Sequence, residues 1–308
     1  MSKPNVIAIV GPTASGKTAL SIDIATQFEG EVISADSRQV YRGLDIGSGK
    51  VTKEEMQGIP HHLLDVADIT TVYSGADFVR DAGLAIEDII ARGKVPIIVG
   101  GTYFYIALLQ GTVQSAPVPP NPALRAELET IPTETLYARL QQLDPERALT
   151  IDPHNRRRLI RSLEIIAALG SVPTPTTRSS SYEWLTIGVD VPKDQLHHNI
   201  DTRLHTRLEH GMIEEVSDLL ASGIPATRLY DLGLEYRYLT LYLQHEISYD
   251  EMVREIQHKS RQFAKRQLTW LKRNRTIEWY PADARKAIHD RICTFLTNEL
   301  RKEDNLIQ

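Results

Sequence analysis

Gly11-Pro-Thr-Ala-Ser-Gly16-Lys17-Thr18 decides how the rest of this chain reads. It matches G-x-x-x-x-G-K-[ST], the spacing of a phosphate-binding loop. Before it runs Val6–Val10, five apolar residues of buried-strand size. After it, Leu20, Ile22, Ile24, Ala25 and Phe28 recur at helical spacing over Thr18–Phe28. Strand, glycine-rich loop and helix in that order are the context that turns the motif into a structural statement. The glycines let the backbone wind so that several N–H groups point inward, and the helix N-terminus adds its dipole. Lys17 supplies charge to the terminal phosphate, and the Thr18 hydroxyl can hold Mg²⁺. Gly11, Pro12, Thr13, Ala14, Ser15, Gly16, Lys17 and Thr18 are therefore the predicted phosphate-binding residues. The motif specifies a di- or triphosphate without saying which.

Outward from this loop, strand and helix patterns alternate. Glu31–Ala35 and Val95–Val99 read as strands and Tyr103–Gln110 as a helix. Ala76–Arg92 reads as a helix whose Phe78, Val79, Leu84, Ile86, Ile89 and Ile90 form an apolar stripe. Such alternation with short connections implies a parallel sheet covered by helices. Four prolines in Ser115–Pro122 mark a boundary. Helical patterns follow over Pro122–Leu128, Thr133–Leu140 and Asn155–Leu169, then a Ser/Thr/Pro-rich linker, Ser171–Ser181. Trp184–Val191 returns as a buried strand. The remainder reads as helices over Gln195–His210, Ile213–Ala221, Arg237–Gln244 and Tyr249–Arg273. The fold class expected is α/β: a P-loop NTPase-like parallel sheet flanked by helices, with an inserted helical subdomain and a helical C-terminal part. Residues 1–112 and 183–308 would form the core and 113–182 the insertion.

The 308 residues are 42% apolar and 24% charged, an ordinary globular balance that argues against disorder, collagen and coiled coil. No apolar run approaches the roughly 18 residues of a membrane helix. The N-terminal apolar run is too short for a signal peptide. One cysteine, Cys293, leaves no intrachain disulfide or Cys-rich zinc site, and its helical surroundings predict a buried thiol. A soluble, cytoplasmic, monomeric protein is expected. Net charge is −5, yet Arg254–Arg275 carries eight basic residues and one acid, and Asp152–Arg161 four arginines and one aspartate. A polyanion would therefore meet patches. The Arg254–Arg275 segment, with Phe263 and Trp270 interleaved, reads either as a phosphate-backbone track or as a solvated helix face with its aromatics in the core, Trp270 more a packing residue than a stacking one.

In a parallel α/β sheet, ligands sit beyond the carboxyl ends of the strands. Asp36 stands at one such end, as a general base, a carboxylate that holds Mg²⁺ through one of its waters, or a cap on the following turn. Gly100-Gly101-Thr102 stands at another, where glycines admit a close ligand and Thr102 offers a hydroxyl, or simply caps the next helix. The pairs His61-His62 and His197-His198 read as structural, because adjacent residues do not share a helix face.

An ordered set of segments now carries a resemblance. It comprises Gly11–Thr18, Asp36-Ser37 with Val40-Tyr41, Gly43–Gly47, Pro60-His61-His62, Tyr73-Ser74 with Ala76-Asp77-Phe78, Gly100-Gly101-Thr102 with Tyr105, Arg158-Leu159 with Arg161, and Ala264–Trp270. Over about residues 5–280 the chain resembles the tRNA isopentenyltransferase family. The resemblance implies dimethylallyl transfer from dimethylallyl diphosphate to the exocyclic amine of the adenosine 3′ of the tRNA anticodon, with Mg²⁺. It implies that Asp36 is the base and Thr102 a contact on the diphosphate side. It also implies that Asp36, Ser37, Arg38, Gln39, Thr102, Arg125, Arg157, Arg158, Leu159, Ile160 and Arg161 touch the tRNA anticodon stem-loop. An arginine that in most members helps hold the diphosphate is here Tyr230, and the neighbouring tyrosine is Leu234. Arg203, Arg228 or Arg237 would substitute. From the residues alone two further readings stay open: a P-loop kinase of a small metabolite, and a nucleotide-dependent switch. Against the switch, no Asn-Lys-x-Asp motif is present. Within the family, prenylation of free adenine nucleotides is the other alternative.

Overall fold

The computed structural model describes residues 3–174 and 179–304. Residues 175–178 of the predicted linker, and the outermost residues of the predicted core, lie outside the described residues. Two compact units are present: Met1–Gly111 with Ser179–Gln308, and Thr112–Arg178.

The larger unit begins β1 (Asn5–Val10), α1 (Lys17–Gln27), β2 (Gly30–Ser34), α2 (Lys53–Met56), β3 (His61–His62), α3 (Gly75–Ala91), β4 (Val95–Gly100), α4 (Tyr103–Leu109). The smaller unit holds α5 (Pro122–Glu129), α6 (Thr133–Leu143), α7 (Pro145–Thr150) and α8 (Arg156–Leu169). The chain then returns through β5 (Glu183–Asp190), α9 (Lys193–Glu209), α10 (Met212–Ala221), α11 (Ala226–Asp231), α12 (Leu234–Leu243), α13 (Tyr249–Leu271), β6 (Ile277–Pro281) and α14 (Arg285–Asp304).

The six strands form one sheet in the order β3-β2-β4-β1-β5-β6, with every neighbouring pair parallel. β1 lies inside it, with Ile7 opposite Ile97 on one side and Leu185 on the other. Its run of apolar residues suits a strand covered on both faces. Leu20 and Ile24 of α1 and Ile288 and Ile292 of α14 join Ile7, Ile9, Val32, Ile97 and Ile187 in one core. A second core gathers α10 to α13 around Val40, Tyr41 and Leu44. β1, β2 and β4 therefore deliver residues 11–16, 35–39 and 101–102 to the same edge of the sheet.

Several features depart from the sequence reading. β3 and β6 are edge strands of two and five residues, and Ile277-Glu-Trp-Tyr-Pro281 carries a charge and a proline. Edge strands tolerate both, so the apolar pattern is weak there. α2, α7 and α11 are short helices that leave little periodicity. Leu84, expected in the apolar stripe of α3, is 62% exposed, and Ala82 is buried on that face instead. Cys293 is exposed rather than buried. On α14 it sits beside Ile292, which faces the core.

In the smaller unit Asn121 caps α5 and Asn155 caps α8, each accepting a backbone N–H three residues on. Leu128, Leu136, Leu140, Leu159, Ile160 and Leu163 form its core. Within it, the buried Glu164 carboxylate accepts from Asn121 N–H (2.5 Å), Arg125 (2.9 Å) and Arg161 (2.5 Å). Burial alone would raise the Glu164 pKa. The hydrogen bonds from Arg125, Asn121 and Arg161 outweigh it and bring the pKa down to about 2.

Candidate active site

Gly16 enters α1 with φ 85°, a left-handed conformation that glycine adopts without strain, and no side chain caps the helix. The first N–H groups of α1 are left for an anion. The earlier half of the loop offers less. Pro12 has no N–H, and the Thr13 N–H donates to Gln267 Oε1 at 2.9 Å. From the other side, Asn199 of α9 donates to the Ala14 carbonyl at 3.1 Å. The Lys17 ammonium folds back, donating to the Pro12 carbonyl (2.5 Å) and the Ser15 hydroxyl (3.4 Å). Burial, and then the charge of Arg203, bring its pKa down from 10.5 to about 7, against the opposing pull of Asp36.

Asp36 is part-exposed and accepts the Arg38 N–H at 2.8 Å, so the turn-capping reading holds for one of its oxygens. Thr102 begins α4, yet its hydroxyl does not cap it. It accepts the Ser37 N–H instead (3.1 Å), tying the turn after β4 to the one after β2. Gln39 spends its amide internally, donating to the Gly49 carbonyl and approaching the Ser34 hydroxyl, both at 3.0 Å. A contact from Gln39 to RNA would come at the expense of these bonds.

Of the candidate arginines, Arg203 is the one at the loop. It is crowded by protein yet open to solvent, and burial followed by the charge of Arg207 brings its pKa down from 12.5 to about 10. Arg207, one helical turn on, was not anticipated. A side chain at Gly49 would overlap Arg207 Nη2 and lie 3.0 Å from Arg203 Nη2, so both guanidiniums reach that backbone. The acidic neighbour of Arg207, Glu235, stands off at 4.0 Å. Asn199, Arg203 and Arg207 share one face of α9 at i, i+4, i+8, a spacing the sequence displays. Arg228 donates to the Ile69 and Thr71 carbonyls, both at 2.6 Å, and Arg237 donates to the Tyr230 carbonyl. Both are engaged with backbone. Tyr230 itself turns to Gln244.

Among the residues expected at RNA, the structure exposes Arg157 and Arg158 on α8. Leu159 (0% exposed) and Ile160 (4%) are core residues whose side chains cannot reach a ligand. A helix face that buries every third or fourth residue must turn these two inward. Arg125 and Arg161 are committed to Glu164 while keeping part of their surface open. On α13, Arg254, Lys265 and Arg266 are exposed, with Lys272, Arg273 and Arg275 exposed just beyond it. Arg261 pairs with Asp201. Phe263 (42% exposed) lies under the Arg266 guanidinium, so it is not a core residue. Trp270 packs edge-on to Tyr103 and stacks on Phe104.

The donor set suits Mg²⁺ held mainly by a phosphate. Among the described residues no group of three or more His, Cys, Asp or Glu is placed to hold a metal. The Thr18 hydroxyl, exposed in the first turn of α1, has no hydrogen bond among them. Mg²⁺ commonly takes one or two protein ligands together with substrate phosphates and water.

The IPP transferase family model matches residues 39–274, starting beyond the phosphate loop. The chain is 44% identical over 282 residues to the tRNA dimethylallyltransferase of Thermomicrobium roseum, covering 89% of this chain and 85% of that one. It is 42% identical to tRNA dimethylallyltransferase 1 of Trichlorobacter lovleyi, covering 95% and 99%. The solved tRNA isopentenylpyrophosphate transferase of Bacillus halodurans superposes with a TM-score of 0.72 at 36% identity, covering 99% of each chain. A eukaryotic dimethylallyltransferase solved acting on tRNA superposes with a TM-score of 0.82 at 26% identity, covering 96% of this chain and 80% of that one. With the family model spanning most of the chain and these relatives matching it nearly end to end, the chain belongs to the IPP transferase family, that of the tRNA dimethylallyltransferases.

Proposed function

We propose that this prenyltransferase moves the dimethylallyl group of dimethylallyl diphosphate onto the N6 amine of the adenosine 3′ of the anticodon, position 37 of tRNA. The products are N6-dimethylallyladenosine and diphosphate. The observation that carries the reading is the cationic setting of the phosphate loop: Arg203 and Asp36 act on Lys17, and Arg207 stands beside Arg203 with Glu235 4.0 Å from it. That excess of positive charge suits a leaving diphosphate.

In the step, the allylic C–O bond breaks with its electron pair going to the diphosphate oxygen. Lys17, Arg203, Arg207 and the first N–H groups of α1 stabilise that charge. The N6 lone pair forms the new C–N bond, and Asp36 takes the N6 proton through the oxygen that does not hold the turn. Thr102 buttresses that turn and presents its hydroxyl on the diphosphate side. Thr18 would hold Mg²⁺, which supplies further charge neutralisation to the diphosphate when bound. Gly11 to Gly16 shape the loop. Arg237 is bonded to the Tyr230 carbonyl, whereas the charge of Arg203 acts on Lys17 at the loop, and Arg203 with Arg207 beside it takes the part of the missing arginine.

The exposed arginines of α8 and the exposed cations of α13 are two basic surfaces, each suited to RNA phosphates. A target base in a loop can be splayed out and drawn into the site. Among the described residues no helix is long and apolar enough to cross a membrane. A cytoplasmic location follows from the tRNA substrate. The test uses purified protein, Mg²⁺ and an unmodified anticodon stem-loop, with dimethylallyl diphosphate or ATP added separately and nucleosides read by mass spectrometry. A dimethylallyl adduct with the first donor only is expected. ATP consumption without an adduct overturns the reading in favour of a kinase. Activity on AMP but not on the stem-loop overturns the choice of tRNA.

A further inference from the structure

α13 turns Met252, Ile256, Ser260, Ala264, Gln267 and Leu271 inward. Gln267 is the long polar side chain on that face, where Ser260 is the other polar residue, and its carboxamide is used at both ends. Oε1 accepts the Thr13 N–H of the phosphate loop at 2.9 Å. Nε2 donates to the Gly101 carbonyl after β4, also at 2.9 Å. The amide has one workable orientation, because reversing it would set carbonyl against carbonyl and N–H against N–H. Thr13 and Gly101 belong to the two wings of the site; β1 and β4 pair as far as Val10 and Gly100, and Gln267 carries the link beyond the end of that pairing.

The link continues beyond Gly101. The next residue, Thr102, holds the Ser37 N–H, and Ser37 follows Asp36. Backbone bonds hold the turn that carries the carboxylate to the end of β4, from the Ala35 N–H to the Val99 carbonyl (2.7 Å) and from the Thr102 N–H to the Ala35 carbonyl (3.2 Å), and Gln267 is the side chain that extends this connection to the loop that would grip the leaving diphosphate. The site has been shaped around it, since a Cβ on Gly101 would come within 2.8 Å of Gln267 Nε2.

We propose that Gln267 is a positioning residue: it fixes the distance between the diphosphate loop and the Asp36 turn, and thereby the approach of the amine to the allylic carbon. The inference rests on the reading of these loops as the donor and base sides of the transferase site. Lys17, Arg203 and the N–H groups of α1 bind the diphosphate without Gln267, so its loss falls on the chemical step rather than on donor affinity. A misplacement of about 1 Å between reacting groups costs on the order of a hundredfold in rate.

The experiment measures single-turnover rates with enzyme in excess over stem-loop, for wild type, Gln267→Met, Gln267→Glu, Gly101→Ala and Gln267→Met/Gly101→Ala. Dimethylallyl diphosphate affinity is measured alongside by calorimetry and folding by melting temperature. Methionine keeps the volume and loses both hydrogen bonds. Glutamate keeps the bond from Thr13 and sets a carboxylate against the Gly101 carbonyl. The expected result is a rate lower by about 10- to 100-fold in every single variant, with donor affinity within about threefold of wild type. The double variant should be no slower than the worse single, because both substitutions remove the same link. Unchanged single-turnover rates in a folded Gln267→Met, or a loss of donor affinity that accounts for the whole effect, overturn the inference. If Gln267→Met melts below the assay temperature, the same criteria apply to Gln267→Glu and Gly101→Ala. Absence of transfer by the wild type is a separate outcome, which refutes the function and not the role of Gln267.

Discussion

Binding of the diphosphate should draw a proton onto Lys17. In the free protein, burial and the charge of Arg203 hold the ammonium at about 7 instead of 10.5. A bound diphosphate places negative charge against it and restores the ordinary value. The bound pKa then exceeds the free one, so the affinity from Lys17 is fully present below pH 7 and falls as pH rises toward the bound value. Between pH 7 and pH 9 the charged fraction of free Lys17 drops from about one half to about one hundredth, which weakens binding about fiftyfold. At pH 8 about 0.9 proton should be taken up per diphosphate bound. Calorimetric titration with dimethylallyl diphosphate in two buffers of different ionisation enthalpy reads both quantities, and pH 7 to 9 lies above the donor's own titration. Lys17→Arg, whose guanidinium does not titrate in this range, should lose the proton uptake and flatten the profile. Constant affinity across this interval with no proton uptake at pH 8 would refute the argument.

Asp36→Ala should abolish transfer, a fall of at least about a thousandfold in single-turnover rate, while stem-loop affinity in a filter-binding assay stays within a few-fold; near-normal turnover would remove it as the base. Arg207→Ala should weaken donor binding by about 10-fold or more, the loss of one charge-assisted contact, without changing the melting temperature appreciably; calorimetry gives the first and thermal denaturation the second. Arg158→Ala should weaken stem-loop binding and lower the slope of log K against log salt by about one, which titrations at several salt concentrations will show. Glu164→Gln should destabilise the smaller unit by about 2–4 kcal/mol, since a buried carboxylate shared by two arginines is lost. Its pKa is depressed on folding, so the stability it confers is present above the ordinary carboxylate range and is lost as pH falls toward 2. Acid denaturation should therefore be flatter in the variant than in wild type.

Much of this protein was legible in its sequence because the informative signals are local. A buried strand, a glycine-rich turn and a helix within 24 residues specify the phosphate loop, and apolar runs of five or six residues specify β1 and β4. The sheet edges were not legible, because β3 and β6 owe their existence to one neighbour each and need little hydrophobic pattern of their own. At the site, Lys17, Asp36 and Thr102 stand at strand ends and can be picked out by position. Arg207 and Gln267 matter through partners 158 and 254 residues away, Gly49 and Thr13. For Arg207 the i, i+4 spacing on α9 was a usable sign. For Gln267 the sign was a long polar residue in the apolar stripe of α13. Leu159 and Ile160 show the converse error: the motif Arg157–Arg161 is contiguous in sequence but wraps around a helix, and two of its five residues face the core.

The place of β1 within the sheet has a consequence for synthesis of the chain. Of the six strands of the sheet it is made before the others, yet one neighbour begins at Val95 and the other at Glu183, roughly 170 residues after β1 ends. At about 5–20 residues per second, the strand waits roughly 10–35 s for its second partner. During that interval its apolar edge is a template for any other extended chain nearby. Of the helices made in the meantime, the four of the smaller unit, α5 to α8, have a core of their own and mostly local contacts to find, which favours early folding. The hazard in making this enzyme lies in the open strand rather than in the insertion, and shielding it on the ribosome is a task for a chaperone that holds extended segments.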